Sequence, residues 1–181
     1  MLKSIELEEA EALFNLIDGS REHLTKWLPW VDYVRSVDDE RHIVEQWIYE
    51  MQMRAAIHLS IIKDGEMSGI ISTHQIDWLN QRTSIGYWIA KNRTRNHLAT
   101  EATAVLMAYL FDNLKLHRIY IQAATDNEPS NRVIRKLGFK LEGVLKENER
   151  IREVFLDHNI YGMMEQDFRG FKERFAPYLP R

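Results

Sequence analysis

Ser84-Ile85-Gly86-Tyr87-Trp88-Ile89-Ala90-Lys91-Asn92-Arg93-Thr94-Arg95-Asn96-His97-Leu98-Ala99-Thr100-Glu101-Ala102 is the stretch around which the rest of the chain is arranged. It reads as a buried strand ending at Ile89, a short basic loop, and the start of an amphipathic helix near Asn96. A strand that runs through a tight loop into a helix N-terminus turns several backbone N–H groups toward one place, a common way to grip a phosphate. Lys91, Arg93 and Arg95 add positive charge there. The loop is therefore expected to hold the diphosphate of a cofactor. Such loops usually rely on glycine for close backbone approach, and here no glycine occurs between Gly86 and Gly138.

Downstream, Ala102, Val105, Leu106, Tyr109 and Leu110 recur at the spacing of one helical face. Residues 116–125 then alternate, with Ile119, Ile121 and Ala123 on one side and Arg118, Tyr120 and Gln122 on the other, as a strand does. Asp126-Asn127-Glu128-Pro129 combines capping side chains with a proline suited to a first helical turn. The short helix it opens stops at Gly138. Two further strands are expected near 144–150 and 153–163, followed by a polar C-terminal tail.

Upstream, residues 2–7 suit a short strand. A helix follows with Leu7, Ala10, Leu13, Phe14 and Ile17 on one face and Gly19 as its C-terminal stop. Residues 21–30 form an unusually apolar loop. Its Trp27 and Trp30, around Pro29, either plug the edge of the core or wall a substrate cleft. Ser36-Val37-Asp38-Asp39 resembles a capping box opening a second helix, whose apolar face is Ile43, Val44, Trp47, Ile48 and Met51. Residues 57–63 and 66–71 are strands joined by Asp64-Gly65, a strong hairpin signal. Ile76-Asp77-Trp78 and a polar turn at Asn80-Gln81-Arg82 lead to the central strand. The order is helices, a hairpin, then strand, helix, strand, helix and two strands. That is a mixed α+β fold, mostly antiparallel, with one parallel crossover beside which a strand pair can splay.

With 181 residues and 45% apolar content, the chain can bury a core as one domain over 1–181. Its net charge of −3 argues against a general nucleic-acid or membrane-surface binder. The basic loop is thus local, suited to a small anion. Without cysteine, disulfides and thiol nucleophiles are excluded. The seven histidines are scattered without metal-ligand spacing, so no metal is expected. Nothing resembles a signal peptide or a membrane span, so a soluble, cytoplasmic protein is expected. The aromatic content leaves room for a homodimer.

Taken together, Ser84–Ile89, Ala99-Thr100-Glu101-Ala102, Ala124-Thr125-Asp126-Asn127-Glu128-Pro129-Ser130-Asn131, Lys136-Leu137-Gly138-Phe139 and Glu142-Gly143-Val144-Leu145 resemble the GNAT acetyltransferase superfamily. Trp27-Leu28-Pro29-Trp30 and Ile76-Asp77-Trp78 narrow the resemblance to bacterial enzymes that acetylate the N-termini of ribosomal proteins. The resemblance implies a twisted sheet with helices on both faces and acetyl-CoA as acetyl donor. It also implies that Trp88, Ile89 and Ala90 face the pantetheine arm and that Asn127 hydrogen-bonds it. Thr94, Arg95, Asn96, His97, Leu98, Ala99 and Thr100 would take the pyrophosphate. Of the superfamily's loop pattern, Gln/Arg-x-x-Gly-x-Gly/Ala, only the last position, Ala99, matches. Two outcomes stay open. In one, His97 lies in the first helical turn at negative φ and its imidazole, with Arg95, helps bind phosphate. In the other, its ring fills the phosphate site.

The chemistry needs a neutral amine, a proton acceptor and a hydrogen bond for the leaving thiolate. Many superfamily members supply the last with a tyrosine at a position that here is Ile134. Ser130 is the candidate instead, unless it simply satisfies the helix N-terminus. His74 and Asp77 are candidate proton acceptors, with water as the alternative. Trp27, Trp30 and Tyr87 are candidates to line the acceptor site. The acceptor is expected to be a protein N-terminal α-amine attacked in a ternary complex. A small amine such as a polyamine or antibiotic is the alternative, as is a degenerate binding protein without turnover.

Overall fold

The structure, a computed structural model, describes residues 1–176. Strand β1 (Leu2–Ser4) leads through a 3₁₀ turn into helix α1 (Ala10–Asp18). Gly19 follows the helix end as expected, but at φ −65°, and the chain turns into the short helix α2 (Arg21–Leu24) rather than a plain loop. Another 3₁₀ turn covers Pro29–Asp32. Helix α3 (Val37–Gln52) opens with the expected box. Ser36 Oγ accepts from the Asp39 N–H at 3.1 Å, and Asp39 Oδ2 accepts from the Ser36 N–H at 2.9 Å.

Strands β2 (His58–Lys63) and β3 (Glu66–Thr73) are joined by Asp64 and Gly65 at φ 53° and 79°, the left-handed pair that this hairpin turn requires. β4 (Arg82–Ile89) is the expected central strand, and α4 (Leu98–Ala108) continues as one π-helical turn over Tyr109–Asn113. β5 (Arg118–Ala124), α5 (Glu128–Lys136), β6 (Lys140–Ile151) and β7 (Val154–Met164) follow. Gly138, at φ 84°, ends α5.

The expected polar tail is instead helix α6 (Glu165–Phe175). It is polar on average but anchored by Phe168, fully buried against the Phe111 ring at 5.0 Å between centroids. Residues 177–181, the end of that expected tail, lie outside the described residues.

Among the described residues the strands form one sheet in the order β1-β2-β3-β4-β5-β7-β6. All pairs are antiparallel except β4–β5, which is parallel. Two clusters share the core. Face A, with Ile71, Ile85, Ile119 and Ile121, packs under Leu106, Leu110 and Ile134 of the α4–α5 side. Face B, with Ile70 and Trp88, packs under Leu13, Ile17 and Val44 of α1 and α3. Alternation along β4 accounts for the split, since neighbouring residues point to opposite faces. Among the described residues no helix is long and apolar enough to cross a membrane.

Candidate active site

β4 and β5 pair only at Arg82–Arg118, Thr83–Ile119 and Ser84–Tyr120. Beyond Ser84, β4 stays with β3 as far as Ile89 while β5 stays with β7 as far as Ala124. The two central strands therefore diverge and open a slot through the sheet. On its β3 side, β4 bonds through alternate residues. The His74 N–H donates to Ser84 O at 2.9 Å and the Ala90 N–H to Ser68 O at 2.9 Å. That alternation turns the backbone groups of Ile85, Tyr87 and Ile89 toward the slot. Of the three residues expected to face a pantetheine, Ile89 fits. Ala90 does not, because its N–H is held by Ser68 and its carbonyl accepts from the Arg93 N–H at 2.9 Å. The Trp88 side chain turns to face B, where it meets Trp30 at 6.3 Å between ring centroids.

The basic loop lies where the slot meets α4. Arg95 and His97 sit at φ 66° and 60°, so His97 is the left-handed N-cap of α4 and not a residue at negative φ in its first turn. Histidine tolerates this region better than most side chains. The loop thus makes at both positions the turn for which glycine is usual. The side chains of His97 and Arg95 are exposed. Thr94 Oγ1 donates to Lys91 O at 2.9 Å and Asn96 Nδ2 to Arg93 O at 3.2 Å, so both brace the loop. Leu98 and Thr100 are buried, which fixes the first turn of α4. Its leading N–H groups, including those of Leu98, Ala99 and Thr100, have no partner within the helix. A left-handed kink, an N-terminus and the exposed Arg95 fit a diphosphate. Arg93 is tied to Glu66, and the Lys91 N–H donates to Ser20 Oγ at 3.1 Å, which fastens the loop to the α1–α2 turn.

Across the slot, Asn127 caps α5, its Oδ1 accepting from the Ser130 N–H at 3.3 Å. Its amide end is the part left to donate to a pantetheine. Ser130 does not cap the helix. Its Oγ lies 3.1 Å from the Tyr87 hydroxyl. Tyr87 is thus on face A, packed against the α4–α5 cluster, and does not share a wall with Trp30. Desolvation pushes its phenol up to about 12, with the Ser130 bond pulling the other way.

Face B holds the polar groups nearest the other mouth of the slot. His74 Nδ1 is 2.7 Å from Ser84 Oγ, and its ring leans over Gly86, where a Cβ would lie 3.1 Å from Cε1. Desolvation lowers its pKa, so the ring is neutral at pH 7. Asp77 is elsewhere. Its carboxylate takes the Asn80 N–H at 2.9 Å, Asn80 Nδ2 at 2.7 Å and Arg82 Nε at 3.1 Å, at the closed end of the strand pair. Those bonds, the Asn80 N–H first, hold it below the usual carboxylate range. It locks a turn.

Glu149 and His158, which sequence reasoning missed, come together beside the open end of β5. His158 pairs with Ala124 at the open end of β5, its Nε2 3.4 Å from Glu149 Oε2 and its Nδ1 3.1 Å from Asn148 Nδ2. The register of β6 against β7 slips between Leu145 and Glu149, so simple alternation could not place them. Trp27 and Trp30 are half-buried on the facing loop.

A model of the Acetyltransferase (GNAT) domain matches residues 1–140. The ribosomal-protein-serine acetyltransferase of Escherichia coli (strain K12) is 30% identical over 160 residues, 88% of this chain and 89% of that protein. The microcin C7 self immunity acetyltransferase MccE, solved with acetyl-CoA and AMP, superposes with a TM-score of 0.87 at 31% identity, over 90% of this chain and 91% of that one. RimL, a ribosomal L7/L12 alpha-N-protein acetyltransferase solved with coenzyme A, superposes with a TM-score of 0.89 at 27% identity, over 92% and 94%.

Proposed function

The chain belongs to the GNAT acetyltransferase family and is an acetyl-CoA-dependent N-acetyltransferase, and we propose that its acceptor is the N-terminal α-amine of a protein, of the ribosomal type. The observation that carries the reading is the slot between β4 and β5, which opens beside the left-handed start of α4 and has the Glu149–His158 pair by its open end. Donor and acceptor can then meet through the sheet, in one ternary complex, without a covalent enzyme intermediate. The whole of 1–181 is read as one domain serving this reaction.

Bound acetyl-CoA supplies an activated acetyl thioester. The backbone edge at Tyr87 and Ile89 holds the arm, and N–H groups there can stabilise charge developing on the carbonyl oxygen. The first turn of α4 with Arg95, Asn96, His97 and the residues around them takes the diphosphate, while Asn127 steadies the pantetheine. On face B the Glu149–His158 pair attracts a protonated amine and accepts its proton directly or through water. His74, neutral and lying beside Ser84, is the second acceptor. Ser130 donates a hydrogen bond to the departing sulfur. Trp27 and Trp30 wall the acceptor's side.

A small amine is the second reading. The Arg152–Asp32 bridge, at 3.1 Å, ties the β6–β7 tip to the aromatic loop and favours a slim acceptor. The test is acetyl-CoA-dependent thiol release with peptides of varied N-terminal residues alongside spermidine, the products identified by mass. Turnover with α-amine peptides that disappears when the α-amine is blocked supports the first reading. Turnover with spermidine alone would replace it with the second.

A further inference from the structure

Ser130 reaches the site in an unusual state of preparation. It is the third residue of α5, where a serine often bonds backbone, yet the cap belongs to Asn127 and the Ser130 hydroxyl projects toward β4. One turn later Ile134 is fully buried, so α5 brings no second polar group to the slot at that position. The partner comes from the opposite wall. Tyr87, on β4, places its hydroxyl 3.1 Å from Ser130 Oγ and 3.5 Å from Ser130 O. Toward the carbonyl only the phenol can donate, at 3.5 Å, whereas between the two hydroxyls either can, and at 3.1 Å Oγ is the nearer acceptor for the phenol's single proton.

A serine hydroxyl has one proton and two acceptor positions, and it rotates to suit its neighbours. We propose that Tyr87 is a positioning residue: by donating to Ser130 Oγ it turns the single Ser130 proton away from the phenol and toward the sulfur of the departing coenzyme. The proposal rests on the reading of Ser130 as the leaving-group donor. In the step, the amine nitrogen forms the C–N bond as the C–S bond breaks, and sulfur keeps the electron pair. The Ser130 O–H hydrogen-bonds that thiolate. The proton lost by the amine passes to the Glu149–His158 side or to water, the coenzyme leaves as a thiol after taking one from solvent, and Ser130 and Tyr87 keep theirs. Desolvation holds the phenol at about 12, far above a thiol's ordinary ~8.5. Tyr87 therefore stays a donor of hydrogen bonds and does not surrender its proton.

The experiment is a double-mutant cycle on acetyl transfer, with Tyr87→Phe, Ser130→Ala and the pair, using the best acceptor from the peptide assay. Ser130→Ala is expected to lower kcat about 100-fold, the scale of a lost proton-transfer or leaving-group partner. Tyr87→Phe should lower kcat about 10-fold with the KM for acetyl-CoA within twofold. In the Ser130→Ala background, Tyr87→Phe should cost nothing more, a result that a merely structural tyrosine would not give. Ser130→Thr, which keeps a hydroxyl, should restore dependence on Tyr87. Coenzyme A binding by calorimetry checks that each variant is folded. If Ser130→Ala costs much and Tyr87→Phe costs nothing, or costs the same in both backgrounds, the positioning role is wrong while the Ser130 reading stands. If Ser130→Ala keeps full kcat, both fall.

Discussion

Arg152 and Asp32, 120 positions apart in sequence, form a two-pronged ion pair between the β6–β7 turn and the 3₁₀ turn at Pro29–Asp32: Arg152 Nε donates to Asp32 Oδ2 at 3.1 Å and Nη2 to Oδ1 at 3.2 Å. Arg152 sits at the β6–β7 turn at φ 55°, and Asp32 closes the 3₁₀ turn that carries Trp30. Both side chains are well exposed, so the pair adds little to global stability. Its expected effect is on access to the proposed acceptor side. Arg152→Ala is expected to leave the melting midpoint nearly unchanged and lower the KM for peptide acceptors a few-fold, with the KM for acetyl-CoA fixed. An increase in peptide KM would mean that Arg152 contacts the acceptor and does not restrict it. Above 0.3 M salt, where screening shortens electrostatic reach to well under about 8 Å, wild type should approach the variant.

The basic loop makes a separable prediction. His97, at φ 60°, holds a conformation that costs an ordinary L-residue roughly 1–2 kcal/mol, while glycine there loses more chain entropy on folding, roughly 0.5–1 kcal/mol. His97→Gly should therefore be neutral to mildly stabilising, by up to about 1 kcal/mol, seen as a rise of up to ~4 °C in melting midpoint. Coenzyme A affinity should stay within about threefold because the helix N–H groups are unchanged. Arg95→Ala removes a charge worth ~0.3–1 kcal/mol near a helix start, and should weaken binding about two- to fivefold in calorimetry. Loss of binding in His97→Gly with none in Arg95→Ala would reverse these roles.

Much of this was written in the sequence where the signal is local. The Asp64-Gly65 turn, the Ser36–Asp39 box and Gly138 each impose a backbone conformation that few alternatives satisfy, and each stands where expected. What escaped depends on tertiary context. Tyr87 and Trp88 are neighbours, and only the packing of Trp88 under α1 and α3 decides that Tyr87 turns toward Ser130. Asp77 looked chemical by type, but three hydrogen bonds in its own turn claim it. Glu149 and His158 meet through a bulged hairpin, whose slip no period-two pattern reveals. A helix as polar as α6 hides a buried anchor, Phe168.

Gly69 tests the route from packing to cofactor. It pairs with Ile89 on β3, and a Cβ there would collide with the Trp88 carbonyl oxygen, a backbone atom that cannot swing away. Gly69→Ala must push β4 toward the slot. Overpacking of this kind costs about 1–3 kcal/mol, so the variant should melt earlier. Coenzyme A binding should fall by more than the fold loss explains, because Tyr87 and Ile89 shift with the strand. Amide exchange localised to β3 and β4 would report that shift, and unchanged coenzyme A affinity in a destabilised Gly69→Ala would detach the strand edge from cofactor binding.

Glu40 gives the protein a pH dependence of unusual sign. It lies in the first turns of α3, 1% exposed, and neither carboxylate oxygen has a hydrogen-bond partner. Burial alone raises its pKa from 4.5 to about 7. Between those values the folded chain binds the proton more tightly than the unfolded one, so this residue's contribution to stability is greatest below about pH 4.5 and is lost as pH rises through about 7. The difference corresponds to about 3 kcal/mol, taking roughly 1.4 kcal/mol per pKa unit. Glu40→Gln keeps the shape and removes the charge. It should raise unfolding free energy at pH 8 by about 2–3 kcal/mol and leave it nearly unchanged at pH 4, where the carboxyl is neutral in the folded chain and mostly neutral in the unfolded one. Denaturant titrations at the two pH values read this directly, and equal effects at both would mean that Glu40 is charged and paired throughout.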